Sequence, residues 1–207
     1  MVCTGNICRS PMVEAFIRHE LEARGIDGIS VESSGISGWE ESPATAEAID
    51  ALQEYGLDLS EHRARRFDPP MANSADLVVA LSAEHRDAVA QVAPEAVSRT
   101  FTLKELVHLL GAVHLSSPDG NADHALRVSV MAAADRRAED ADRGLLDEDV
   151  SDPIGLGIET YRALAWEIQD LSRRMVEGLF PDSGSASAGP DHGRQEGSHG
   201  RGEGETG

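Results

Sequence analysis

Basic residues are scarce in this 207-residue sequence. Lysine and arginine together number 18 against 37 aspartates and glutamates, the formal net charge is -19, and Lys104 is the single lysine. A nucleic-acid partner needs a basic stripe to face the phosphate backbone, and the sequence contains none. We therefore exclude nucleic acids as partners. The acidity also repels anions at long range, so an anionic substrate would have to be held by local contacts.

Cysteines and long apolar runs are also few. The two cysteines do not make a disulfide framework, and a reducing compartment suits them better. No apolar run approaches the ~20 residues of a membrane-spanning helix. No signal peptide is recognisable ahead of the first cysteine. The sequence thus predicts a cytoplasmic protein with no membrane partner.

The most informative stretch reads Cys-Thr-Gly-Asn-Ile-Cys-Arg-Ser-Pro and occupies residues 3–11. A bound phosphate needs several backbone N–H groups aimed at one point, which a tight loop entering a helix N-terminus provides. Gly5 and Asn6 tolerate the positive φ angles of such a loop. Arg9 can grip two oxygens of one anion. The same donors would stabilise the thiolate of Cys3.

A cysteine and an arginine at this spacing often occur by chance, and a buried structural cysteine is then the usual outcome. The complete string is much less common, and it resembles the signature of the low-molecular-weight protein tyrosine phosphatases. The resemblance extends over roughly residues 2–180. It implies that Cys3 is the nucleophile and that Arg9 clamps the phosphate. It also assigns phosphate binding or loop support to Thr4, Gly5, Asn6, Ile7, Cys8 and Ser10.

Two residues outside the loop belong to its support if the resemblance holds. It makes Ser33 a hydrogen-bond partner of the loop. From residue type alone, His62 could be a general base, a metal ligand or a structural histidine, but no second histidine or cysteine lies at ligand spacing, so we expect no metal. The resemblance places His62 in a structural network with Asn6, Ser10 and Ser33.

Trp39 lies on a polar, glycine-rich segment. A lone tryptophan most often belongs to the core, and residue type alone predicts that position. The resemblance instead implies an aromatic side chain at the rim of the substrate entrance.

A second stretch, residues 147–155, is acidic and contains Asp152-Pro153. Most Asp-Pro pairs are simply turns. Cleavage of a phosphate ester through Cys3, however, expels an alkoxide or phenolate that needs a proton. The resembling family takes that proton from an Asp-Pro pair ahead of its last helix, which implies Asp152 here. Aromatic residues usually follow that pair in the family, whereas Ile154 follows it in this sequence.

The alternation of strand and helix patterns predicts an α/β domain. We expect a parallel sheet flanked by helices on both faces, with the phosphate-binding loop at the first strand-to-helix turn. The clearest strand is the apolar run over residues 76–81. The other predicted elements are strands over 29–33 and near 99–100, helices over 11–24, 44–55, 84–92, 101–110, 125–140 and 159–179, and a loop over 111–125.

The domain is predicted to cover residues 1–181. Residues 182–207 lack any apolar period and predict a disordered tail. Only Met1 and Val2 precede Cys3, whereas a strand usually needs ~5–6 residues. We therefore expect the first strand to be truncated, with a chain start assigned too late as the favoured explanation.

The resemblance implies hydrolysis of phosphotyrosine in protein substrates through a cysteinyl-phosphate, without metal or organic cofactor. Two alternatives stay open at this point. An arsenate reductase would have to be recycled by an external small thiol, because the thioredoxin-linked kind needs cysteines beyond Cys8 and the sequence has none. An inactive phosphate-binding module is expected if the N-terminal truncation is real.

Overall fold

A parallel sheet forms the centre of the computed structural model, which describes residues 1–37, 39–112, 121–139 and 147–181. The strands are β1 Val2–Cys3, β2 Ser34–Gly35, β3 Val78–Ala80 and β4 Thr100–Thr102. The helices are α1 Arg9–Ala23, α2 Ala46–Gln53, α3 Pro69–Ser74, α4 Ala83–Val92, α5 Leu103–Gly111, α6 Ala122–Glu139 and α7 Ile158–Leu179, with a 3₁₀ helix over Pro94–Arg99. The strand order is β2-β1-β3-β4 with every pairing parallel, as the sequence predicted.

Each strand directs alternate side chains to opposite faces of the sheet. Cys3 and Val79 belong to the larger apolar cluster, which α1, α2, α5, α6 and α7 complete. Val2 and Val78 belong to a smaller cluster built with α3, α4 and the 3₁₀ helix. Helices therefore cover both faces, which confirms that part of the prediction.

The first strand lies inside the sheet. Val2 pairs with Ser34 of β2 and with Ala80 of β3, and Cys3 pairs with Gly35. The loop that follows β1 therefore leaves the sheet between two neighbouring strands. β1 contains two residues, and its truncation stays a prediction.

The strand predicted over residues 29–33 is wrong, because β2 is Ser34–Gly35. Arginine side chains donate to backbone carbonyls of this segment that would accept hydrogen bonds from a neighbouring strand if the segment belonged to the sheet. Arg18 Nε donates to the carbonyl of Val31 at 3.2 Å, and Arg65 Nε donates to that of Ser33 at 2.7 Å. The neighbouring strand β1 contains only Val2 and Cys3, and these pair with Ser34 and Gly35 of β2.

The start of α5 differs from the predicted helix over 101–110, because residues 100–102 form β4. Thr102 and Glu105 close a capping box, in which each side chain accepts from the other residue's backbone N–H. This box ends the strand and starts the helix at Leu103. The sequence reading also missed α3 and the 3₁₀ helix, although each has proline in its first turn.

The remaining helices confirm the prediction to within a few residues. The predicted loop over 111–125 lies mostly outside the described residues, and α6 already begins at Ala122. The predicted tail over 182–207 also lies outside them. Among the helices of the described segments, none has the length and apolar character needed to cross a membrane.

Candidate active site

The loop between β1 and α1 turns through Asn6, whose φ of 56° is left-handed. Asparagine tolerates this conformation better than most residues. Gly5, which also tolerates a positive φ, does not adopt one. Glycine is needed there for space: a Cβ at Gly5 would come within 2.8 Å of Cδ1 of Trp39.

Cys3 lies at the floor of this loop with polar atoms beside its sulfur. The thiol is buried, Ser10 Oγ lies 2.9 Å from Sγ, and the backbone N–H of Asn6 donates to Sγ at 3.3 Å. A serine hydroxyl and a backbone amide thus lie within hydrogen-bonding distance of the sulfur.

A hydrogen-bond network around the buried Asn6 holds the loop in shape. Its Nδ2 donates to Ser10 Oγ at 2.9 Å and to Ser33 Oγ at 2.8 Å, and its Oδ1 accepts from the backbone N–H of Arg65 at 2.9 Å. His62 Nε2 lies 2.7 Å from the carbonyl oxygen of Asn6. The structure thus brings together the four residues that the resemblance had grouped.

Arg9 lies at the first position of α1 and is only 5% exposed. Its Nη1 donates to the carbonyl of Val150 at 3.2 Å, and its Nη2 donates to Asp152 Oδ2 at 2.5 Å and to Thr4 Oγ1 at 3.1 Å. The buried Nε has no hydrogen-bond partner within the described part of the chain. One N–H of the guanidinium is therefore available to a substrate oxygen.

Asp152 comes to this site from 143 residues further along the chain. Its side chain is 45% exposed, whereas that of Arg9 is 5% exposed. The carboxylate therefore lies at the mouth of the loop, between solvent and the guanidinium. This is a position from which a proton could be exchanged with a bound substrate.

Sequence reasoning missed His85, which is buried beside the loop. Its Nε2 lies 2.9 Å from Thr4 Oγ1, and its Nδ1 lies 2.7 Å from Ser82 Oγ. Burial, and secondarily the charge of Arg9, lower the pKa of His85 to about 4. A neutral imidazole therefore links the loop to α4. Its place just after the clearest strand was the available signal, because the carboxyl ends of parallel strands meet at one edge of the sheet.

Trp39 lies outside the core. Its side chain is 51% exposed and packs against Gly5 of the loop. The core position predicted from residue type is therefore wrong, because the Trp39 ring lies against Gly5 of the loop. Ile154 and Leu156 are similarly exposed beyond Asp152.

Residues 1–139 match the family model described as low molecular weight phosphotyrosine protein phosphatase. The chain belongs to this family. It is 32% identical to a protein-arginine-phosphatase of Geobacillus stearothermophilus over 86% of this chain and 93% of that relative. It is 39% identical to the low molecular weight protein-tyrosine-phosphatase Etp of Escherichia coli K12, over 49% of this chain and 65% of that one.

The fold of the family is also seen in a solved structure. The crystal structure of a low molecular weight protein tyrosine phosphatase from T. tengcongensis superimposes with a TM-score of 0.64 at 32% identity, covering 85% of this chain and 95% of that one. The chain is therefore a phosphatase of this family.

The second cysteine of the phosphatase is buried among apolar side chains. Burial, and secondarily the charge of Cys3, raise the pKa of Cys8 to about 12. Cys8 therefore remains a thiol at neutral pH. Ile7 is also buried, whereas Thr4 is exposed at the mouth of the loop. Across the described ranges, the phosphatase contains no group of three or more histidine, cysteine or carboxylate side chains placed to hold a metal ion.

Replacing Asn6 with alanine tests the loop network. Asn6→Ala removes three side-chain hydrogen bonds and leaves a left-handed residue without its favoured side chain, so we expect the free energy of unfolding to fall by about 2–4 kcal/mol. Activity towards 4-nitrophenyl phosphate should fall in parallel. Urea unfolding and steady-state kinetics measure both effects. The control is Asn73→Ala at an exposed position of α3; an Asn6→Ala variant that matched this control would contradict the role of the network.

The lowered pKa of His85 predicts a pH-dependent stability. Below the ordinary histidine value of 6.5 the unfolded chain binds a proton, whereas the folded chain does so only near pH 4. The unfolded state binds more protons in this window, so the free energy of unfolding falls as the pH falls from 7 to 4.5, by about 1–2 kcal/mol from this histidine. Subtracting the free energy of unfolding of His85→Gln from that of the parent at each pH isolates the contribution of His85. The exposed His108 supplies the control, and equal slopes for parent and His85→Gln would refute the prediction.

Proposed function

We propose that this phosphatase hydrolyses phosphotyrosine in proteins through a cysteinyl-phosphate on Cys3. The observation that carries the proposal is the convergence of three groups at one loop: the Cys3 sulfur beside Ser10 and the Asn6 N–H, the buried guanidinium of Arg9 and the half-exposed carboxylate of Asp152. A nucleophile, an anion clamp and an acid are the parts that phosphoryl transfer through cysteine needs.

Binding of the phosphate depends on the loop and not on the charge of the whole chain. The net charge of -19 opposes the approach of an anion. In the proposed complex, loop N–H groups and Arg9 hold the three non-bridging oxygens, and the free Nε of Arg9 supplies one donor. The phosphate also replaces Asp152 as the partner of Arg9.

The first chemical step transfers the phosphoryl group to the enzyme. The Cys3 thiolate attacks phosphorus in line, the S–P bond forms and the P–O bond to the phenol breaks. Protonated Asp152 gives its proton to the departing phenolate oxygen, so that phenol leaves.

The second step returns the enzyme to its starting state. Asp152, now a carboxylate, takes a proton from a water molecule that attacks phosphorus. The S–P bond breaks, inorganic phosphate leaves and Cys3 recovers its thiolate. The hydroxyl of Ser10, 2.9 Å from Sγ, stabilises the charge that returns to sulfur. Neither step requires a metal or an organic cofactor, and the need for a free thiolate supports a reducing compartment such as the cytoplasm.

The side chains around the entrance support an aryl substrate. Trp39 lies over Gly5, and Ile154 and Leu156 are exposed beyond Asp152. Aromatic and apolar surface suits a phenyl ring better than the charged guanidinium of phosphoarginine. Phosphoarginine is nevertheless the second candidate, because the match to the Geobacillus stearothermophilus protein-arginine-phosphatase covers nearly the whole of that protein.

One comparison of substrates tests the proposal. The purified protein should be given two peptides of one sequence that carry phosphotyrosine or phosphoarginine at the same position, with a chelator present. We expect a higher kcat/KM for phosphotyrosine. A higher value for phosphoarginine would replace the proposal with the second candidate. Thiol-dependent reduction of arsenate without peptide hydrolysis would favour a reductase, and phosphate binding without turnover would favour a binding module.

Substitution of the two reacting side chains tests the mechanism. Cys3→Ser should abolish turnover, because the hydroxyl is a much weaker nucleophile at neutral pH. Asp152→Asn should lower kcat/KM for phenyl phosphate by about 10²–10⁴-fold, and much less for 2,4-dinitrophenyl phosphate, whose stable leaving group needs no proton. Kinetics across a series of aryl phosphates measure this dependence. An equal loss for every leaving group would remove Asp152 from the acid role.

A further inference from the structure

The acidic residues ahead of Asp152 make specific contacts with the rest of the domain. Asp149 Oδ1 accepts a hydrogen bond of 2.7 Å from the backbone N–H of Ala83, the first residue of α4. This N–H has no partner inside its own helix, and a carboxylate is the favoured acceptor at a helix N-terminus. The segment that reads as an acidic turn is therefore joined to α4.

The next residue is held at the same junction of the fold. The N–H of Val150 donates to the carbonyl of Leu81 at 2.9 Å, and its own carbonyl accepts from Arg9. Val150 is buried, whereas Asp149 is exposed. Two successive residues thus contact the short stretch between β3 and α4.

The two residues before Asp149 contribute unequally. Glu148 pairs with Arg86 of α4 at 2.5 Å, with both side chains about three-quarters covered. Asp147 pairs with Lys104 at 3.1 Å, but its side chain is 78% exposed. Exposed pairs of this kind contribute little, so Asp147 offers a matched carboxylate without an anchoring role.

Asp152 itself depends on what precedes and follows it. Its carboxylate is 45% exposed and pairs with Arg9, and the nearby Val150 and Pro153 are buried. On its far side the chain is restricted by Pro153 and by the N–H of Ile154, which donates to Asp152 Oδ1 at 3.1 Å. On its near side Val150 packs in the core, and the last side-chain hydrogen bond before Asp152 among the described residues is that of Asp149, three residues earlier.

We infer that Asp149 is a positioning residue for the reaction, which sets the place of Asp152 by fixing the chain to the N-terminus of α4. The inference rests on the proposed acid role of Asp152. Proton transfer is sensitive to displacements below 1 Å, so loss of this contact should impair the acid without touching the thiolate or the phosphate cradle.

The test compares Asp149→Ala with Asp149→Asn and with the control Asp147→Ala. Asp149→Ala should lower kcat/KM for phenyl phosphate by about tenfold and leave that for 2,4-dinitrophenyl phosphate within about twofold. Asp149→Asn keeps an acceptor oxygen and should recover most of the loss. Asp147→Ala should match the parent with both substrates. A purely structural effect on α4 would lower both substrates alike, and that result would overturn the inference.

A double variant separates this inference from the proposed function. If Asp149 acts through Asp152, adding Asp149→Ala to Asp152→Asn should change kcat/KM for phenyl phosphate by less than about twofold. A full additional loss in the double variant would overturn the positioning role. The proposed acid role itself fails only if Asp152→Asn alone shows no dependence on the leaving group. Thermal melting of each variant confirms that the compared proteins are folded.

Discussion

The contact of Arg9 with Val150 and Asp152 is the interaction on which the site depends. A guanidinium that is 5% exposed must have its charge compensated, because burying it alone would cost several kcal/mol. The partners come from a segment 143 residues away, which ties the last part of the domain to its first helix. The same contact brings the carboxylate to the sulfur-bearing loop.

The sheet makes that contact possible. β1 and β3 are neighbours and parallel, so the loops that follow them lie at one edge. α1 begins after β1 with Arg9, and α4 begins after β3 with Ala83. The acidic segment contacts the starts of both helices. Asp149 accepts from the N–H of Ala83 at the start of α4, and Asp152 pairs with Arg9 at the start of α1. The carboxylate of Asp152 and the phosphate-binding loop are thus both held at the N-termini of α1 and α4.

Much of this could be predicted from the sequence, because the loop residues are contiguous. The string over residues 3–11 and the Asp152-Pro153 pair pointed to the site, and strand and helix periodicity predicted the parallel sheet. Periodicity could not find His85 or Asp149, since their contacts join segments far apart in the chain. Trp39 was misplaced in the core because residue type does not report that Gly5 provides a surface for its ring. The prediction of a strand over 29–33 was wrong for a related reason, because strand pairing depends on the neighbouring strand as much as on the residues of the strand itself.

The phosphate-binding loop and the exposed side chains around its entrance differ in what they contribute to the choice between phosphotyrosine and phosphoarginine. Relatives named for arginine and for tyrosine phosphatase activity both match this chain, and the group common to both substrates is the phosphoryl group. A loop that surrounds only this group cannot distinguish the two. A proton donor does not distinguish them either, since departing oxygen and departing nitrogen both need a proton. Selection must then lie beyond the reacting atoms, where Trp39 and Ile154 present apolar surface to whatever carries the phosphate. An uncharged ring gains from contact with the whole of that surface, whereas a guanidinium gains by stacking on the Trp39 ring and loses part of its hydration against Ile154.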